Sequence, residues 1–380
     1  MTALLPRARR QLELTHGRTI PAAMTSPQFD PTMLLDPAAY PWPVDEVRLI
    51  ETHISWVFLA GDRVVKLKRP VELGFVDFRD PARREQACHD EVRLNQRLTT
   101  DVYLGVVPVT EEGVDEPGDA IEWAVVMRRM DADRMLDRLL QDGAAPEDLA
   151  ERLADRLIPF HTIPPSRPEP AGGVEGSPVS MRHASQPETE LPGNERFLHF
   201  GRNDGDGEPG GEIPSVSLRT SLHHVQSDIS EAGCPQEPDT YLTVLTDNLA
   251  QVGDVTRGVV GEAQLTFVDR SIRAFMDEQG DVLAARFLEW LREGHGDLRC
   301  EHVCLEPEAM QIYDCVEFEI AIRCADVASD LAFLLMDLRR LGAEPVAAEL
   351  LMRYRAAGFD LPDSVIDLYA AHRALVRAKV

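Results

Sequence analysis

The chain has 380 residues, with 39 Lys and Arg against 65 Asp and Glu, a formal net charge of -26. That balance argues against a nucleic-acid-binding face, which needs clustered cations, and against docking on an anionic membrane surface. No apolar run approaches the ~18 residues of a membrane helix, and the basic start at Arg7, Arg9 and Arg10 lacks the apolar stretch of a secretory signal, so a cytoplasmic protein is expected.

Residues 1–44 read as a poorly ordered arm. Residues 45–130 read as a small α/β lobe. Its β-rich run VRLIETHISWVFL meets RVVKLK across an Ala-Gly-Asp turn, the signature of a hairpin. From Pro81, ARREQACHDEVRLNQRL has Pro at its start and helical patterning. YLGVVPVT and IEWAVVMRRM follow as strands. Residues 131–163 open a helical region, with two helices broken at Asp142-Gly143.

The composition then changes. Between Pro164 and Pro238, Pro and Gly make up 21 of 75 residues and aromatics are nearly absent. Too little apolar area is available there to offset chain entropy, so 164–238 reads as a disordered insertion. Residues 239–380 return to helical patterning, interrupted by GHGDLRCEHVCLEPEAMQIYDCVEFE. The whole predicts an α+β fold: a β-rich front lobe and a larger helical lobe behind it. The six cysteines do not read as a disulfide framework in a chain this long, and reduced, buried thiols are expected.

The interrupting segment carries the chemistry. Asp297 sits in a turn after His295-Gly296, and Asp314 lies about one hairpin downstream. Phosphoryl transfer needs such a pair: one carboxylate to orient or deprotonate the attacking hydroxyl, another to hold Mg²⁺ on the phosphates. The alternation Cys300-x-His302-x-Cys304 looks like a zinc pattern. Its residues would share one strand face, however, whereas structural zinc sites draw on two paired elements, so packed thiols are the favoured reading.

Taken together, ETHISWVFLAGDRVVKLKRPVELGFVDF, AVVMRRM, MLDRLL, HGDLR, YDCVEFE, DVASDLAFLLMDL and RALVRAKV resemble the aminoglycoside phosphotransferase-like kinases. The match is to the kinase-like half of bacterial aminoglycoside phosphotransferase/ATP-binding fusion proteins, over about 45–162 and 240–380. The resemblance implies a protein-kinase-like bilobal fold, with ATP in the cleft and a small-molecule hydroxyl as acceptor. It implies Lys66 on the α/β-phosphates, with Lys68 as the alternative, and Glu91 pairing with it, with Glu85 as the alternative. Ser55 would lie over the phosphates, and the backbone from Met127 to Arg129 would meet the adenine edge. Asp297 would be the catalytic base and Asp314 the Mg²⁺ ligand. His302 stands where the family places an Asn as second metal ligand, which favours Mn²⁺ more than an amide oxygen would. Arg299 stands where relatives usually carry His. These departures leave a second reading open, a degenerate nucleotide-binding or scaffold protein without turnover. No GxxxxGK[ST] sequence occurs, so the P-loop half common in the fusion proteins is expected to be lost or encoded separately, as a partner domain.

Overall fold

The computed structural model describes residues 29–73, 76–163 and 261–379. The predicted 164–238 insertion, the helical segment near Tyr241 and residues 1–28 lie outside the described residues.

The front lobe is built on strands β1 (Val47–Glu51), β2 (Ser55–Ala60), β3 (Arg63–Lys68), β6 (Tyr103–Thr110), β7 (Gly113–Val114) and β8 (Glu122–Arg128), with the short pair β4 (Glu72–Leu73) and β5 (Val76–Asp77) falling between β3 and β6 in sequence. The six form one antiparallel sheet in the order β1-β2-β3-β8-β6-β7. The run at 47–59 is broken at Thr52–Ile54. There Thr52 Oγ1 accepts from the Ser55 N–H at 2.9 Å, and the chain turns back on itself. β2 and β3 form the predicted hairpin, closed by Gly61 at φ +64°.

Alternation along β3 gives the sheet two different faces. Val65 and Leu67 point to one side, into a cluster with Phe58, Ala60, Leu34, Tyr40 and Trp42. Of the segment 1–44, read as a poorly ordered arm, the described residues 29–44 pack against the sheet. Pro31–Leu35 and Pro37–Ala39 form 3-10 turns capped by Asp30 and Asp36, and Trp42 Nε1 donates to Ala60 O at 3.1 Å. The segment covers an apolar sheet face that would otherwise lie in water.

The other face of β3 carries Val64, Lys66 and Lys68. Helix α1 (Pro81–Asn95) packs there, started by Asp80, whose side chain accepts from Ala82 N at 3.0 Å. Its buried residues are Arg84, Ala87, Cys88, Glu91, Leu94 and Asn95, a single helical stripe. Glu91 therefore faces the lysines, whereas Glu85 lies off the buried stripe.

The back lobe holds α2 (Leu136–Gln141), α3 (Leu149–Thr162), α4 (Glu262–Trp290), a short turn α5 (Ile320–Arg323), α6 (Val327–Arg340), α7 (Glu344–Ala356) and α8 (Asp363–Lys379). Between α4 and α6 lie β9 (Leu291–Glu293), β10 (Val303–Leu305), β11 (Met310–Ile312) and β12 (Cys324–Asp326), which pair as two small ribbons. One core joins Leu153 and Leu157 of α3, Leu331, Leu334, Leu335 and Leu338 of α6, and Leu350 and Tyr354 of α7. Among the described residues Cys88, Cys300, Cys304 and Cys315 are free and buried. The small antiparallel lobe set on a mostly helical lobe is the bilobal α+β kinase-like fold. Among the described residues no helix is long and apolar enough to cross a membrane.

Candidate active site

The site forms where the charged face of β3 meets the ribbon loops of the back lobe. Lys66 Nζ lies 2.8 Å from Glu91 Oε1 and 2.8 Å from Asp314 Oδ1. Lys68 Nζ lies 2.6 Å from Glu91 Oε2 and also pairs with Glu317 Oε1. Glu91 thus gives one oxygen to each lysine, and each lysine reaches a different residue of the back lobe. Two cations and three carboxylates are closed into one chain of ion pairs, which is what lets such buried charges persist.

The electrostatics follow from that closure. Burial works to neutralise Lys66, but Asp314 and Glu91 outweigh it and hold the ammonium well above its ordinary pKa. Burial likewise works to raise Glu91, and the two lysines bring it below the usual carboxylate range. Glu317 is different: burial dominates, and its carboxyl is pushed up despite Lys68.

Asp314 adopts φ +64°, a left-handed conformation uncommon for a residue with a side chain. It is held by Cys315 N–H donating to Asn95 Oδ1 at 2.9 Å and by Lys66. Its side chain is 27% exposed and that of Asp297 is 29%, so both carboxylates are open to a ligand while Glu91 is sealed.

His302 ties the two together. Its Nδ1 lies 2.8 Å from the Asp297 carbonyl, which can only accept, so Nδ1 carries the proton. Nε2 then offers a lone pair, 3.7 Å from Asp314 Oδ2 and 3.3 Å from Arg299 Nη2. Burial and then the Arg299 charge lower the His302 pKa, against Asp297 and Asp314, which raise it.

Arg299, read from the sequence only as a departure, closes on Asp297 in a fork. Nε donates to Oδ1 at 2.9 Å and Nη2 to Oδ2 at 2.8 Å, and Nη1 pairs with Glu301. Burial works to raise the Asp297 carboxyl, but His302 and Arg299 reverse it and hold the group ionised.

The loop carrying Asp297 is pinned from below by Asp330. Its Oδ2 accepts from His295 N at 2.6 Å and its Oδ1 from Gly296 N at 2.9 Å, while His161 Nε2 lies 3.1 Å from Oδ2. A Cβ at Gly294 would meet Asp330 Oδ2 at 2.6 Å, and Gly296 sits at φ +84° against Val316, so both glycines of GHG are required by the geometry. Asp326 has a structural task, capping α6 and pairing with Arg286 at 2.9 Å, but the loop anchor is Asp330, one turn later. The DVASD spacing held that signal, since both aspartates fall on one helix face.

Ser55 is fully buried at the start of β2, in register with Lys68, and its Oγ has no hydrogen-bond partner. Met127 is paired on both sides within the sheet. The N–H groups of Arg128 and Arg129 are already donated, to Val102 O and Asp62 O, each at 2.8 Å. The backbone N–H groups between Met127 and Arg129 are thus taken up by the sheet and its flanking turns. The next N–H along the chain, that of buried Met130, has no partner among the described residues.

The donor set permits a cation only in part. No group of three or more His, Cys, Asp or Glu able to hold a metal occurs among the described residues. Asp314 supplies one hard carboxylate oxygen, and Mg²⁺ sites of this kind draw their remaining ligands from phosphate oxygens and water.

The similarities to known proteins are distant. No family model matches the chain. Uncharacterized proteins of Mycobacterium tuberculosis and Mycobacterium bovis are 29% identical over 359 residues, which is 94% of this chain and 58% of theirs. The chain therefore spans well under two thirds of these relatives' length. Among solved structures, the aminoglycoside phosphotransferase APH(3'')-Id from Streptomyces rimosus superposes with a TM-score of 0.46 at 15% identity, covering 87% of this chain and 92% of that one. A choline/ethanolamine kinase family protein from Mesorhizobium loti gives 0.38 at 14% identity, covering 92% and 80%.

Proposed function

We propose that the chain is an ATP-dependent phosphotransferase that moves the γ-phosphoryl group to a hydroxyl of a small molecule. The observation that carries this reading is Lys66, 2.8 Å from both Glu91 and Asp314, with His302 linking Asp314 to Asp297. A buried ammonium fixed by two carboxylates has its position set before any ligand arrives, which is how phosphate sites gain rate by positioning.

The roles follow from placement. Lys66 faces the α/β-phosphates, and the unpartnered Ser55 Oγ and Met130 N–H are polar groups left for a nucleotide to satisfy. Asp314 holds Mg²⁺, with His302 Nε2 beside it; a bound cation would neutralise phosphate charge there. Asp297 accepts the proton as the acceptor oxygen bonds to the γ-phosphorus and the bridging oxygen departs with ADP. Each Asp297 oxygen accepts one Arg299 N–H and keeps a further lone pair for that proton.

One observation favours a second reading, a nucleotide-binding scaffold without turnover: both Asp297 oxygens already accept from Arg299, which matches the charge a base would use. A thermal shift with ATP, alone and with Mg²⁺ or Mn²⁺, tests the first reading, since a ligand that binds only the folded state raises the melting temperature. Metal-dependent stabilisation together with ADP release supports transfer. Nucleotide binding without turnover in any metal supports the scaffold, and no shift with any nucleotide rules out both.

A further inference from the structure

The last helix brings a basic face to the candidate base. Arg373 of α8 is buried, donates Nη1 to Gly296 O at 3.0 Å, and stacks 5.1 Å over Phe333. Arg299 lies 5.9 Å over the same ring. Arg373 is thus a buried, hydrogen-bonded support of the Asp297 loop and not a solvated surface charge. Arg377 is four residues further on, so it lies on the same face one turn along. It is exposed, and among the described residues it has no hydrogen bond or ion pair.

Its surroundings sharpen the point. Arg299 is matched by Asp297 and Glu301, Arg340 by Asp337 at 2.8 Å, and Arg373 is hydrogen-bonded to Gly296 O. Arg377 is exposed and has no direct partner among the described residues, in a chain where acids outnumber bases 65 to 39. Crowding by protein atoms and then the Arg299 charge push its guanidinium down, against the pull of Asp297 and Asp337.

We propose that Arg377, one turn beyond the Arg373 that reaches the Asp297 loop, recognises an oxyanion, carboxylate or phosphate, carried by the acceptor alcohol. A planar guanidinium offers a fork of donors that matches either group. An oxyanion bound there would supply the partner that Arg377 lacks, whereas a cationic acceptor would be repelled by it. This inference rests on the phosphotransferase reading for the word acceptor, and on Arg377 alone for the oxyanion.

The test uses the full chain and four small alcohols that differ mainly in charge: glycerol, ethanolamine, glycerate and glycerol 3-phosphate, at matched ionic strength. Glycerate or glycerol 3-phosphate is expected to raise the melting temperature and to stimulate ADP release, and glycerol and ethanolamine are not. Arg377→Gln should abolish the anion shift and raise the acceptor KM by about tenfold or more, with the ATP KM unmoved. Arg377→Lys should keep part of the effect. A carboxylate requirement and a phosphate requirement are separated by which of the two anions acts. The proposal is overturned if glycerol or ethanolamine is preferred, if Arg377→Gln binds the anions as wild type does, or if that substitution moves the ATP KM, which would assign the arginine to the donor. Should the anion shift depend on Arg377 while ATP gives no shift under any metal, the oxyanion site stands and the phosphotransferase reading falls.

Discussion

Replacing Lys68 with Met probes the closed ion-pair chain between the lobes. Lys68 is fully buried, and it is the cation that closes on Glu317, whose side chain is 4% exposed. Glu91 keeps Lys66 after the change, but Glu317 is left without a direct partner. Removing one member of a buried pair costs about 3–5 kcal/mol. The lower end is expected, because Glu317 can take up a proton instead of staying charged. Its carboxyl is already raised by burial with Lys68 present, and the variant raises it further. A carboxyl whose folded pKa lies above its unfolded value binds more protons when folded, so stability falls as pH rises through the folded pKa. The variant should therefore lose most at pH 8 and less at pH 5.5. Urea unfolding followed by Trp emission reads this well, since Trp42, Trp56 and Trp123 of the four Trp residues lie in the front lobe. Adding Glu317→Gln to Lys68→Met should restore part of the loss, because an amide carries no charge to strand. A loss below about 1 kcal/mol, or one equal at both pH values, would refute the account of this pair as buried and mutually dependent.

Asp314→Asn should weaken ATP-Mg²⁺ binding itself by calorimetry, whereas Asp297→Asn should lower kcat with little change in ATP affinity, since a base acts mainly in the transition state. Asp330→Ala should destabilise the protein by about 3 kcal/mol or more, because it strands two buried N–H groups and His161; unfolding at an unchanged midpoint would show that the loop does not depend on it. His302→Asn replaces a nitrogen donor with an oxygen and should move the metal preference from Mn²⁺ toward Mg²⁺; activity profiles in the two metals that coincide with wild type would exclude His302 from the metal's surroundings.

The elements were legible in the sequence because their signals are local. Asp80-Pro81 starts a helix by capping chemistry, Gly61-Asp62 turns a hairpin, and the strand YLGVVPVT matches β6 residue for residue. The one-face placement of Lys66 and Lys68 follows from the two-residue period of a strand, and Asp297 and Asp314 were marked by their spacing. What the sequence could not decide was which partners meet across the fold. Lys68 looked like a substitute for Lys66, yet the two act together because Glu91 has two oxygens and Glu317 arrives from 249 positions away. Asp330 rather than Asp326 holds the loop because the turn of α6 aims it at His295 and Gly296. The segment before β1 packs because the sheet offers it an apolar face, a fact that composition cannot carry. Arg299 and Arg373 gained meaning only where Phe333 and the last helix brought them together at the Asp297 loop. Propensity and period are properties of neighbours in sequence, whereas charge matching is a property of neighbours in space, and long-range packing alone makes those.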